Sequence, residues 1–74
     1  MRRIQRQRTR QIAQIVSGAC GLVHALEGVR AVHIVARGRP TFEQMRRYRH
    51  AARNGHAGLT VSGEGVISIR PEAR

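Results

Sequence analysis

The side chains best equipped for chemistry in this chain are its arginines, and the chemistry they offer is recognition of oxyanions. A guanidinium is a planar fork of donors that meets two oxygens of a phosphate or carboxylate at once. Five of them, Arg2, Arg3, Arg6, Arg8 and Arg10, fall within the first ten residues. Cations this dense repel one another, and such an arm is expected to settle along a polyanion. A second set comprises Arg46, Arg47, His50 and Arg53. Placed about 100° apart around a helix axis, these share one side, with Arg49 at its border. The two sets are the candidate nucleic-acid-binding residues.

Other chemistries are poorly supplied. The acids are Glu27, Glu43, Glu64 and Glu72, one to a segment, and aspartate is absent. Neither a carboxylate pair nor a serine–histidine–aspartate arrangement is therefore on offer, and no catalysis is expected. The glycines match neither G-x-G-x-x-G nor the P-loop pattern. Cys20 and His24 stand four apart and would share a helix face, but two ligands do not close a zinc site. Cys20 is in line with Ile12 and Val16, which suits a buried thiol. No metal and no cofactor are expected.

The charge balance points the same way as the arginine sets. The 74 residues carry a formal charge of +10, from 14 arginines and no lysine. GC-rich codon usage would explain arginine in place of lysine, but not the excess of bases over acids. An excess of one sign destabilises a small compact state unless a partner neutralises it. Nucleic acid is the expected partner, although an acidic protein or an anionic membrane surface would neutralise equally well. Duplex DNA is preferred over RNA. Single-strand RNA readers stack bases on exposed rings, and Phe42 and Tyr48, the only aromatic residues, are expected on the apolar side of their helix. A cationic helix followed by a hairpin suits duplex DNA, with any base reading assigned to Arg46, Arg47, His50 or Arg53.

One cysteine among 74 residues excludes an intrachain disulfide and fits a reducing compartment. Cytoplasmic and nucleoid-associated location is the corresponding expectation. The arginines before the apolar stretch Ile12 to Leu26 imitate a targeting signal. That stretch carries Gln14, Ser17, Gly18, Gly21 and His24 and is too short and polar to span a bilayer.

These side chains need elements to hold them. Ile12, Ile15, Val16, Ala19, Leu22, Val23 and Leu26 recur at helical spacing, which predicts a helix from about Arg3 to Glu27, stopped by Gly28. Its arginine-rich start, residues 1–10, reads as an arm that can run on into the helix. Ala13, Ser17, Gly21 and Ala25 form a row of small residues where a second helix or second copy would pack. The β-branched run within Val29 to Arg37 predicts a strand covered on both faces. Thr41 caps a second helix that runs to Asn54, with Gly55 as its stop and Phe42, Met45, Tyr48 and Ala52 facing inward. A three-residue loop, Gly63-Glu64-Gly65, then sets Val61 opposite Ile67 and Leu59 opposite Ile69, with Gly65 left-handed. Pro71 ends the strand. The predicted fold class is α+β: helix, strand, helix and hairpin over residues 11–70, a small three-stranded sheet with two helices on one face, and a tail at 71–74.

The helix and hairpin from Thr41 to Arg70 resemble the end of a winged-helix domain, where a recognition helix precedes a β wing. About fifteen residues separate Pro40 from His56, room for one helix where a winged helix has two before its wing. Ala51-Ala52-Arg53-Asn54-Gly55, with Leu59-Thr60-Val61 and Val66-Ile67-Ser68-Ile69, also resembles small phage and prophage proteins. Both resemblances imply a DNA-binding accessory or regulatory factor of a mobile element. The main rival is an adaptor or inhibitor that docks on an acidic host protein, its arginines meeting carboxylates. A third reading is a basic subunit coating packaged nucleic acid. A domain this small often leans on a partner copy, so a homodimer through the first helix or the sheet is expected.

Overall fold

The computed structural model describes residues 2–72, with side chains from residue 7 to residue 72. The order is α1 (Arg2–Ala25), β1 (Val32–Val35), α2 (Phe42–Asn54), β2 (Ala57–Val61) and β3 (Val66–Pro71). This is the expected α+β arrangement. Helix α1 starts at Arg2, so the arginine-rich segment and the first helix are one continuous element.

The sheet has the order β1-β3-β2, all antiparallel. In the hairpin, Val61 faces Ile67 and Leu59 faces Ile69, the register of a three-residue loop. Gly65 has φ +91°, which glycine adopts without steric cost. A Cβ there would also stand 2.5 Å from the Gly38 carbonyl oxygen, so the hairpin tip lies directly on the turn after β1. Val32 and Ile34 of β1 meet Ile69 and Ile67 of β3, and this apolar face lies under both helices.

Strand β1 is shorter than expected and covered on one face only. His33 is exposed, and Val35 is 82% exposed. Both helices take the same side of the sheet, so a run of β-branched residues at an edge strand does not imply burial on both faces. The other face carries His33, Ser68 and Thr60 in one cross-strand row, and His33 Nδ1 lies 2.8 Å from Ser68 Oγ.

The core consists of Val16, Ala19, Cys20 and Val23 from α1, Tyr48 and Ala52 from α2, and Ala57, Ile67 and Ile69 from the sheet. The small-residue row of α1 does not take part as a unit. Ala13 is half-buried, Ser17, Gly21 and Ala25 are exposed, and a Cβ added at Gly21 meets nothing within 4 Å. The close helix approach is elsewhere, where a Cβ on Gly55 would lie 2.5 Å from the Cys20 Cβ. That is why residue 55 is glycine. Its φ of −89° is ordinary, and the left-handed residue after α2 is His56, at φ 54°. His24 Nε2 lies 3.1 Å from the Gly55 carbonyl oxygen and 2.9 Å from that of His56. Carbonyls only accept, so this nitrogen carries a proton and donates to both, satisfying two carbonyls of the turn after α2.

Candidate nucleic-acid interface

Helix α2 begins with a capping box. The Gln44 N–H donates to the Thr41 hydroxyl over 3.2 Å, and the Thr41 N–H donates to Gln44 Oε1 over 2.9 Å. The remaining amide end of Gln44 donates to the Thr9 hydroxyl over 3.1 Å. Thr9 is 7% exposed, and its side chain lies beside the buried Tyr48 phenol. A polar seam therefore fixes the start of α2 against the third turn of α1. Burial pushes the Tyr48 phenol above its ordinary range, while the polar Thr9 side chain and the nearby Arg8 guanidinium pull the other way.

The seam floors a cleft of about 590 Å³. Arg8 and Arg10 approach from α1, Arg37 and Arg39 from the turn after β1, and Arg47 from α2, with Glu43 the one acid in the lining. The Arg8 guanidinium donates to the Arg37 carbonyl oxygen over 3.3 Å and so ties α1 to that turn. Beside the cleft, a groove of about 790 Å³ crosses the outer side of α2 and is lined by Glu43, Arg46, Arg47, Arg49, His50 and Arg53. Arg47 lines both, so the two cationic surfaces are contiguous.

Of the expected site residues, Arg8, Arg10, Arg46, Arg47, His50 and Arg53 are exposed and lie on this surface. Arg2, Arg3 and Arg6 belong to α1, and their side chains lie outside the described residues. Three further arginines of the surface do not emerge from sequence reasoning. Arg49 falls at the border of the cationic side by helical spacing, yet it lines the groove. Arg37 and Arg39 flank Gly38, and a Gly-Arg-Pro run reads along the chain only as a break. The available signal is the Arg37-Gly38-Arg39 run itself, one cation on each side of a turn glycine.

Phe42 departs from expectation. It is 78% exposed, while Tyr48 is 1% exposed. As the first residue of α2 it protrudes past the core, and at helical spacing it falls on the flank of Arg46, Arg49 and Arg53 rather than over Tyr48. The argument against an exposed aromatic ring therefore holds for Tyr48 alone.

Among the described residues, no three potential metal ligands come together, and no helix is long and apolar enough to cross a membrane. Comparisons with family models, curated proteins and solved structures return no match. What the surface offers chemically is an array of guanidinium donors held by two helices and a turn, suited to several phosphate oxygens at once.

Proposed function

We propose that this protein binds nucleic acid, DNA in preference to RNA, through phosphate contacts from α1 and the outer side of α2. The observation that carries the reading is Arg47, shared by the cleft and the groove, which joins arginines from three separate elements into one surface. A polyanion neutralises such a surface over its whole length, and an isolated carboxylate does not. The winged-helix-like order of α2 and the β2–β3 hairpin accords with a helix laid in the major groove. Binding of 20-base-pair DNA, followed by anisotropy at two salt concentrations, tests it. Removing one cation that neutralises a phosphate lowers the salt slope by about one, so Arg47→Ala should weaken binding and flatten the slope. Affinity indifferent to salt, or no binding in dilute buffer, would remove the proposal. The rival adaptor reading would then be favoured if one acidic protein stayed bound after nuclease treatment.

The homodimer belongs to the same reading. Ile15 and Leu22 are half-exposed on the flank of α1 opposite Cys20 and His24, which meet α2, Leu26 just past the helix is equally exposed, and β1 is an edge strand. A second copy covering this flank would leave the arginine surface free. Sedimentation equilibrium should give twice the chain mass, and a monomer at high concentration would refute the dimer.

A further inference from the structure

We infer that the cleft between α1, the Arg37–Pro40 turn and α2 is a discrete site for a phosphate group bearing two or more charges. The ligand chemistry is a terminal phosphomonoester or a pyrophosphate unit joined to a nucleotide. The inference rests on the polyanion reading above and narrows it to one site and one class of group.

Three observations carry it. The first is charge. Arg8, Arg10, Arg37, Arg39 and Arg47 converge there against the single Glu43. An internal phosphodiester brings one charge, whereas a terminal phosphate brings about −1.5 to −2 near neutrality. Five forks in one concavity match the second far better than the first. The second is size. A volume of about 590 Å³ is nucleotide-scale, far larger than a lone ion needs. The third is construction. The Gln44–Thr9 hydrogen bond and the buried Tyr48 beside it form the floor, and the Arg8 bond to the Arg37 carbonyl holds two walls together. The groove on α2 has no such floor, being lined by one helix face only. The cleft also opens at the start of α2, where the helix dipole adds positive potential.

The test is an NMR titration of the full chain with inorganic pyrophosphate in about 0.1 M salt, where surface charges are screened beyond roughly 10 Å. Saturable shifts should concentrate at the Arg37–Gln44 amides. The Arg37→Ala/Arg39→Ala variant should bind about tenfold more weakly, the loss of a charge-assisted bond, while Arg46→Ala/Arg53→Ala should stay within about twofold. The Arg37 backbone carbonyl survives its substitution, and Arg10→Gln serves as a second variant should the first lose its fold. Competition then separates the sources. Displacement of pyrophosphate by ADP identifies a free nucleotide, and displacement by a 5′-phosphorylated oligonucleotide, but not its 5′-hydroxyl twin, identifies a strand end. No saturable shift, shifts spread over α2 and weakened equally in both variants, or equal competition by the two oligonucleotides would overturn the inference. DNA binding that persists without a pyrophosphate site leaves the interface standing and removes the cleft. A pyrophosphate site in a protein that ignores DNA does the reverse.

Discussion

The side-chain amide of Gln44 donates to the hydroxyl of Thr9, 35 positions earlier in the chain, over 3.1 Å. The same side chain accepts from the Thr41 N–H, so it closes the cap of α2 and fastens that helix to α1 in one piece. The seam joins the helix that carries Arg8 and Arg10 to the helix that carries Arg47, and all three line the same cleft.

Gln44→Ala should lower stability by about 1–2 kcal/mol, through loss of the cap and of the Thr9 bond. Thr9→Val should cost about 1 kcal/mol, because it leaves the half-buried Gln44 amide without its Thr9 partner. The two share an interaction, so the double variant should lose less than the sum by at least about 0.5 kcal/mol. Urea unfolding measures all three, and strict additivity would show that the seam does not couple the helices.

Gly55→Ala should destabilise by about 1–3 kcal/mol, the range for overpacking a close approach. The new Cβ would sit 2.5 Å from the Cys20 Cβ and 2.8 Å from its Sγ. Adding Cys20→Ala removes only the sulfur and keeps the shorter clash, so the double variant should not regain stability. Thermal melts of the three proteins decide this. Full rescue by Cys20→Ala would place the crowding at the sulfur.

Stability should fall on the alkaline side. Burial pushes the Cys20 thiol above its ordinary 9.0, against a weaker lowering by a backbone hydrogen bond. Burial likewise pushes the Tyr48 phenol above its ordinary 10.0. The unfolded chain releases these protons first, so it binds fewer of them than the folded chain as pH rises. The contribution is intact below pH 9 and is lost progressively above it, with a slope of up to about 1.4 kcal/mol per pH unit for each proton. Cys20→Ala should flatten the fall that begins near pH 9, leaving the later one from Tyr48. Urea midpoints from pH 7 to 11 in a reducing buffer follow both, and an unchanged onset would assign it to other groups.

Phe42→Ala should leave stability within about 0.5 kcal/mol, as for an exposed residue. If the ring stacks on an unpaired base, the variant should weaken single-stranded DNA binding by about 1–3 kcal/mol and leave duplex binding unchanged. Anisotropy with matched single- and double-stranded oligonucleotides reads the difference, and equal loss on both would deny a stacking role.

Much of the architecture is legible because it is written in local patterns. The hairpin register follows from the alternation around Gly63-Glu64-Gly65, since only one loop length puts Leu59, Val61, Ile67 and Ile69 on one face. The limits of α2 follow from Thr41 and Asn54-Gly55. The exposure of Arg46, Arg47, His50 and Arg53 on α2 follows from spacing alone. What fails does so mostly for tertiary reasons. Val35 reads as buried until both helices are seen on one side of the sheet, whereas Phe42 is a local misreading, since helical spacing already sets it with Arg46, Arg49 and Arg53. Gly55 reads as a helix stop, and the need for glycine there comes from Cys20 on another helix.

By itself the sequence determined the element types, the hairpin pairing and the sign of the surface, because these depend on residues within a few positions of one another and on composition. Only the tertiary structure decided that Arg8, Arg10, Arg37, Arg39 and Arg47 surround one cleft. That convergence requires Thr9 to meet Gln44 and the hairpin tip to rest on Gly38, contacts between distant segments whose geometry is set by packing.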